Sequence, residues 1–321
     1  MKVKVFFTVD VEIWCHGWHD LDRAFPQAFE RYIYGPTRNG HFGLTRTLER
    51  LNAYGLQGVF FTEPLFSARF GVAALQEIVG LIQSANQEVQ LHLHTEWADE
   101  AIPPLIASVT EKRQHLWMFS LAEQKQLIET GISLMQCAGA GSLKAFRAGS
   151  FAMNHDTWLA LEQLGIPFDA SFNATMTPLS GPLRDYHDMT HPRQIGAITE
   201  YPISAFRDGL NQVRHAQLGA CSYRELEWLL WTAVAEHWDS VVILSHNFEL
   251  MNQAKTRADS IVDQRFEKLC RFLALNSDHF QTCGFQNLEG NPNLEQRLLP
   301  RTHWSLTAER ASQQLLRRIF G

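Results

Sequence analysis

Along most of this chain, short continuous apolar runs alternate with segments of helical period, and that alternation restricts the fold more than any other feature. The runs are Val3–Val9, Gly58–Thr62, Val89–His94, Leu143–Phe146 and Val241–Ser245. Between them lie helix-period segments near Phe42–Tyr54, Ala73–Ala85, Leu121–Cys137, Thr157–Leu164, Tyr223–His237 and Ser260–Leu275. In the Tyr223 segment, Leu226, Leu229, Leu230, Ala233 and Val234 share one face. A run apolar at every position suits a strand covered on both sides, as in a parallel sheet. Strands alternating with helices imply parallel strands joined by crossover helices, so the expected class is α/β. Two stretches break the rhythm: Thr95–Ser120, with Pro103-Pro104, and Asn173–Thr199, rich in Pro, Gly and His. Loops of that length in a compact domain are usually functional or disordered. After Phe285 comes a Gly/Asn/Pro segment and then a helix expected over Thr307–Ile319.

Composition narrows the class. Of 321 residues, 45% are hydrophobic and 19% charged, which is globular and sufficient for a large core. The formal charge is -6 and no polybasic run occurs, so neither nucleic acid nor an anionic membrane is an expected partner. Met1–Val9 meets Asp10 and Glu12 too early for a secretory signal and reads as a first strand. No apolar run reaches the roughly 18 residues of a membrane span. The five cysteines (Cys15, Cys137, Cys221, Cys270, Cys283) are scattered and form no C-x-x-C. That pattern suits a reducing cytoplasm, the expected location, and excludes a cysteine-built zinc site.

The polar residues that could carry chemistry stand at strand ends, where active sites form in parallel α/β proteins. Asp10 and Glu12 close the first strand, two apart and so on one face; two carboxylates aimed into one space repel unless a cation or proton lies between them. His92 and His94 close the third, with Glu96 two further on. Two imidazoles and a carboxylate suit zinc or another divalent first-row ion. Arg147 ends the fourth run, and if buried it needs a carboxylate partner, for which Asp10 is the candidate. Asp169 follows a short fifth run. His246 ends the late strand, with the residue type most used as a general acid near neutral pH. Each also has a plainer reading. Glu12 can point to water, the histidines can be bonded core residues under Trp97, Arg147 can lie on the surface, and His246 can bond a backbone carbonyl.

In chain order these motifs resemble the NodB-homology family of polysaccharide deacetylases, carbohydrate esterase family four, over roughly Lys2 to Phe285. Thr8-Val9-Asp10-Val11-Glu12 is similar to the family's first motif, and Gly58-Val59-Phe60-Phe61-Thr62 to its second strand. Glu88-Val89-Gln90-Leu91-His92 resembles the run into its metal-binding histidines. Arg147-Ala148-Gly149-Ser150-Phe151, Phe168-Asp169-Ala170-Ser171 and Leu244-Ser245-His246 are similar to the later motifs. The sequence departs from the family where a second histidine would stand four after His92. Glu96 is there instead, and His94 is only two away. Val11 occupies the place of the usual metal-binding Asp, which moves that role to Glu12.

The resemblance implies a distorted (β/α) barrel of about seven parallel strands, whether or not it closes fully. It implies a divalent metal, Zn2+ first, held by Glu12, His92 and His94, with Glu96 as alternate. Asp10 would be the catalytic base, Arg147 the group that orients it, and His246 the acid that protonates the leaving amine. The expected reaction is hydrolysis of an N-acetyl group on an amino sugar. A cytoplasmic enzyme would meet a sugar-nucleotide or lipid-linked precursor rather than finished polymer. Trp14, Trp18 and Trp97 lie beside the motifs as candidate stacking faces for a sugar. Two alternatives stand beside this: a ring-amide hydrolase of the allantoinase-like branch, and a degenerate barrel that binds saccharide without catalysis. The barrel is expected over residues 1–286, with 287–321 as a loop and helical extension packed on it.

Overall fold

The structure, a computed structural model, describes every residue except 1, 108–110, 177–182, 187, 289–291, 293–294 and 321. Parts of both long loops, and Gly290, Asn291 and Asn293 of the Gly/Asn/Pro segment, therefore lie outside the described residues.

Among the described residues the main sheet has nine strands. They are β1 (Val3–Val11), β2 (Gly58–Thr62), β3 (Glu88–Leu93), β4 (Ala145–Ala148), β5 (Phe168–Asp169), β6 (Arg193–Ile195), β7 (Ile198–Glu200), β8 (Ser240–His246) and β9 (Phe280–Thr282). The principal helices are α1 (Leu21–Phe29), α2 (Leu44–Ala53), α3 (Ala73–Ser84), α4 (Leu121–Cys137), α5 (His155–Leu164), α6 (Tyr223–Ala235), α7 (Ser260–Leu275) and α8 (Trp304–Phe320). The chain divides into two compact units, Met1–Val59 with Ser204–Gly284 and Leu299–Gly321, and Phe60–Ile203 with Phe285–Leu298. The division falls inside β2.

In the first unit β1 pairs in parallel with β8 and with β9, in a register that sets Asp10 opposite His246. Seven of the nine residues of β1 are hydrophobic or Thr side chains with almost no exposure, as a doubly covered strand requires. The helix faces match their spacing: α6 buries Leu226, Leu229, Leu230 and Ala233, and α7 buries Val262, Phe266, Leu269 and Leu273. Phe266 stacks on Phe7 of β1 at 5.1 Å. Both α6 and α7 start on a side-chain cap. Ser222 and Glu225 form a capping box for α6, and Asp259 accepts from the Ile261 and Val262 N–H groups of α7.

The last helix, α8, joins this unit through buried ion pairs. Asp208 is fully buried and bonds Arg310 at 2.8 Å and Arg214 at 3.0 Å. Burial alone would raise its pKa, but Arg310, Arg214 and the Gln212 and Leu210 N–H groups pull it down to about 2. A depressed carboxyl contributes stability above its unfolded value near 4, and that contribution, about 2 kcal/mol, is lost as pH falls toward 2. Arg310→Ala leaves Asp208 and Glu225 without this partner. Urea unfolding should show a loss of about 3–5 kcal/mol at neutral pH, shrinking as the pH approaches 2. A loss under about 1 kcal/mol would mean that α8 is held by its apolar face alone.

In the second unit the strand order is β2-β3-β4-β5-β7-β6. The pairs β3–β4, β4–β5 and β5–β7 are parallel, and β6–β7 is antiparallel. The second long loop thus contains a hairpin that apolar patterning does not reveal. Its strands are three residues each, and it turns at Gly196, whose φ of +58° suits a tight turn. The Ser120–Glu123 capping box starts α4, and the Asn154–Thr157 box starts α5.

Candidate active site

In the first unit three of the expected residues come together. One ligand atom from each of Asp10, Glu12 and His246 lies within 4.8 Å of the others, a grouping able to hold a cation. Asp10 is 2% exposed and Glu12 7%, so Glu12 does not point to water. Glu12 is one residue past β1, where regular pairing has ended, and Asn247 extends that pairing with its side chain. Asn247 Oδ1 accepts from the Glu12 N–H at 3.1 Å, while its Nδ2 donates to the carbonyls of Glu12 at 3.2 Å and Tyr32 at 2.7 Å. The Trp14 indole N–H donates to Glu12 Oε2 at 2.7 Å and fixes the carboxylate's rotation. Trp14 in turn meets Trp18 edge-on at 6.3 Å.

His246 is held from its other side. Its Nδ1 donates to Glu249 Oε2 at 2.9 Å, and the same oxygen accepts its backbone N–H at 3.0 Å. Gln217 Nε2 donates to Glu249 Oε1 at 2.9 Å. Burial alone would lower the imidazole's pKa. The Glu249 bond and the charges of Glu249, Glu12 and Asp10 overcome burial and push it up to about 9. The protonated form of His246 is therefore favoured at neutral pH.

In the second unit, His92 and His94 are nearly fully buried, with ring centroids 4.8 Å apart and planes at 84°. His92 Nδ1 lies 2.9 Å from the Arg147 carbonyl, and His94 Nδ1 lies 3.2 Å from Glu96 Oε2. A carbonyl or carboxylate only accepts, so both rings carry hydrogen on Nδ1, which makes Nε2 the atom that either ring, when neutral, offers to a metal. Glu96 sits on the turn Thr95–Trp97 rather than on an extended strand, and what it does here is orient His94. Gly149 closes over the same ring, since a Cβ at that position would lie 2.6 Å from His94 Nδ1. Arg147 is fully buried, lies 4.3 Å over the Phe61 ring and donates through Nε to the Ala170 carbonyl at 2.9 Å.

Several roles were not visible in the sequence. Glu63 follows β2, is buried, and accepts from the Leu65 N–H at 2.7 Å; burial pushes its carboxyl up to about 8 against that bond and the nearby His94. An acid directly after an apolar run was the available signal. Asp169 pairs with Glu200, an acid at the end of β7 that patterning did not reach. Trp97 is 2% exposed and packs edge-on against Phe66 and Phe70, so it belongs to the core and offers no face to a sugar. His16 bonds Arg31 at 2.8 Å on the surface, and burial pushes the Cys15 thiol up to about 11.

No family profile and no curated sequence matches the chain. Solved structures do. A Mycobacterium smegmatis protein assigned as a polysaccharide deacetylase superposes with a TM-score of 0.55 at 17% identity, over 92% of this chain and 95% of that one. The 4-α-glucanotransferase of Thermococcus litoralis gives a TM-score of 0.52 at 10% identity, over 94% of this chain and 42% of that one. At such identities the likeness speaks for the backbone architecture alone. With its parallel sheet and crossover helices, the chain has the NodB-like (β/α) barrel fold.

Proposed function

We propose that this protein is a metal-dependent amide hydrolase of the polysaccharide deacetylase kind, removing an N-acetyl group from an amino sugar. The observation that carries the reading is the His92–His94 pair, buried at one strand end with both Nδ1 atoms held by acceptors. That donor chemistry fits a divalent ion, Zn2+ first, with Glu12 as the carboxylate ligand. Glu12 suits the task because Trp14 already holds one of its oxygens. Glu96 is the alternate ligand, and its Oε2 is bonded to His94. When bound, such an ion polarises an amide carbonyl and acidifies water.

The remaining chemistry belongs to the chain. Asp10 takes the proton of the attacking water, with Arg147 as the guanidinium that orients it. The new C–O bond forms at the acetyl carbon, the C–N bond breaks, and His246 gives its proton to the departing amine. The protonated state and Glu249 anchor of His246 support that assignment. We assign the barrel to residues 1–286 and an extension to 287–321. No helix among the described residues is long and apolar enough to cross a membrane. None of the five cysteines is in a disulfide, which favours a cytoplasmic enzyme acting on a sugar-nucleotide or lipid-linked precursor.

Metal content tests the reading. Protein purified without chelator should hold about one divalent ion per chain, and the His92→Ala/His94→Ala double variant should hold none. A wild type that stays empty after incubation with Zn2+ would overturn the metal mechanism and leave metal-free ring-amide hydrolysis or saccharide binding.

A further inference from the structure

We propose that the buried acids Asp169 and Glu200 form a positioning pair for His92, acting through Ser171 and one peptide unit. The inference rests on the reading of His92 as a metal ligand. Asp169 and Glu200 end neighbouring strands β5 and β7, in register with each other, and both are fully buried. The Trp158 indole N–H reaches both, at 2.9 Å to Asp169 Oδ2 and 3.1 Å to Glu200 Oε2, so one oxygen of each carboxyl faces the same point. Two carboxylates cannot both be ionised there. Burial pushes both carboxyls up, and the charge of Asp169 pushes Glu200 further, so Glu200 is the member that keeps its proton when Asp169 ionises.

From that charge a hydrogen-bond chain runs toward the site. The Ser171 hydroxyl donates to Asp169 Oδ1 and accepts the Ala148 N–H at 2.8 Å. Ala148 N belongs to the same peptide plane as the Arg147 carbonyl, and that carbonyl accepts from His92 Nδ1 at 2.9 Å. An anion at one end polarises each link in turn: the hydroxyl oxygen becomes the better acceptor, the peptide N–H gives up more of its proton, and its carbonyl becomes more negative. His92 Nδ1–H is then held more strongly and Nε2 becomes more basic, the effect a carboxylate usually exerts by touching a metal-ligating histidine directly. The same peptide also carries Arg147, whose Nε is tied to the Ala170 carbonyl one residue from Asp169.

The experiment uses the full chain, Zn2+ alone as probe, and two readouts. These are Zn2+ affinity by competition with a chromophoric chelator, and the His92 imidazole resonances of the metal-free protein labelled with 15N-histidine. Ser171→Ala cuts the chain, and Asp169→Asn removes the charge without changing shape. Each should weaken Zn2+ binding about tenfold and move the His92 Nδ1 proton upfield. Glu200→Gln leaves Asp169 its charge and a donor, and should stay within about twofold of wild type with His92 unmoved. Unchanged affinity and resonances in folded Asp169→Asn overturn the proposal. So does a loss of affinity with His92 unmoved, because the acids then act by another route, and so does a Glu200→Gln effect as large as that of Asp169→Asn. A wild type that binds no Zn2+ would remove the metal reading instead, and the metal-free His92 resonances would still decide whether the chain operates.

Discussion

Asp10→Asn is expected to slow acetate release from an N-acetylated amino sugar by about 10²–10⁴-fold while leaving bound metal and thermal stability near wild type. The size follows from what the substitution takes away. Asn matches Asp in shape but cannot accept a proton from water. Little else should change, because the backbone carbonyl of residue 10 still accepts from the Asn247 N–H at 3.1 Å and the β1–β8 register is unaffected. A variant that turns over within about threefold of wild type would exclude Asp10 as the base. One that also loses its metal would make Asp10 a ligand rather than a base, which the closeness of Asp10, Glu12 and His246 makes a real contest.

His246→Ala should lower turnover over a similar range of about 10²–10⁴-fold, most severely for amides with poor leaving groups. Glu249→Gln provides the sharper test. In the metal-free chain Glu249, Glu12 and Asp10 push the His246 imidazole up to about 9, so if His246 is the acid, activity is expected to fall on the alkaline side as that proton is lost. The substituted amide still offers an oxygen to Nδ1 but no charge, and burial, which opposes protonation, is then less opposed. The alkaline limb should move down by about two pH units, so activity falls steeply at pH 8 and recovers toward pH 6. The stability linkage has the same sign: a raised histidine contributes below its unfolded value near 6.5 and loses that contribution as pH rises through 9. A pH–rate profile with its alkaline limb unmoved in Glu249→Gln would remove His246 from the proton-delivery step.

The strands that carry Asp10, His92, Arg147 and His246 were legible because buried parallel strands admit only apolar residues, which makes a polar residue at their ends conspicuous. Helix α4 was legible to the residue, its start fixed by the Ser120–Glu123 box. By contrast, α1 carries Pro26 and runs into the π-helical turn Glu30–Tyr34, a mixture of breaker and aromatic residues without a clean period. Strand β5 is two residues long, so the sequence offered only a short run ahead of Asp169 and no period. The supporting residues of the site were the least legible. Glu249 lies three past His246 in a loop, Trp14 two past Glu12, and Glu200 on a strand whose pairing with β5 is not local. Such contacts depend on chain reversal and sheet register, which apolar periodicity does not encode.

The glycine lid over His94 has a practical consequence for anyone scanning this protein by mutagenesis. Any side chain at position 149 must displace the His94 ring, because the first carbon it adds would come within 2.6 Å of that imidazole. An activity screen will therefore rank Gly149 beside Asp10 and His246, although it offers no proton, charge or ligand atom. Thermal melts of the same variants would tell the two kinds of residue apart. At position 10 the chemistry should fail in a protein that still melts normally, whereas at position 149 the strain of repacking a buried ring should lower the melting temperature along with the rate.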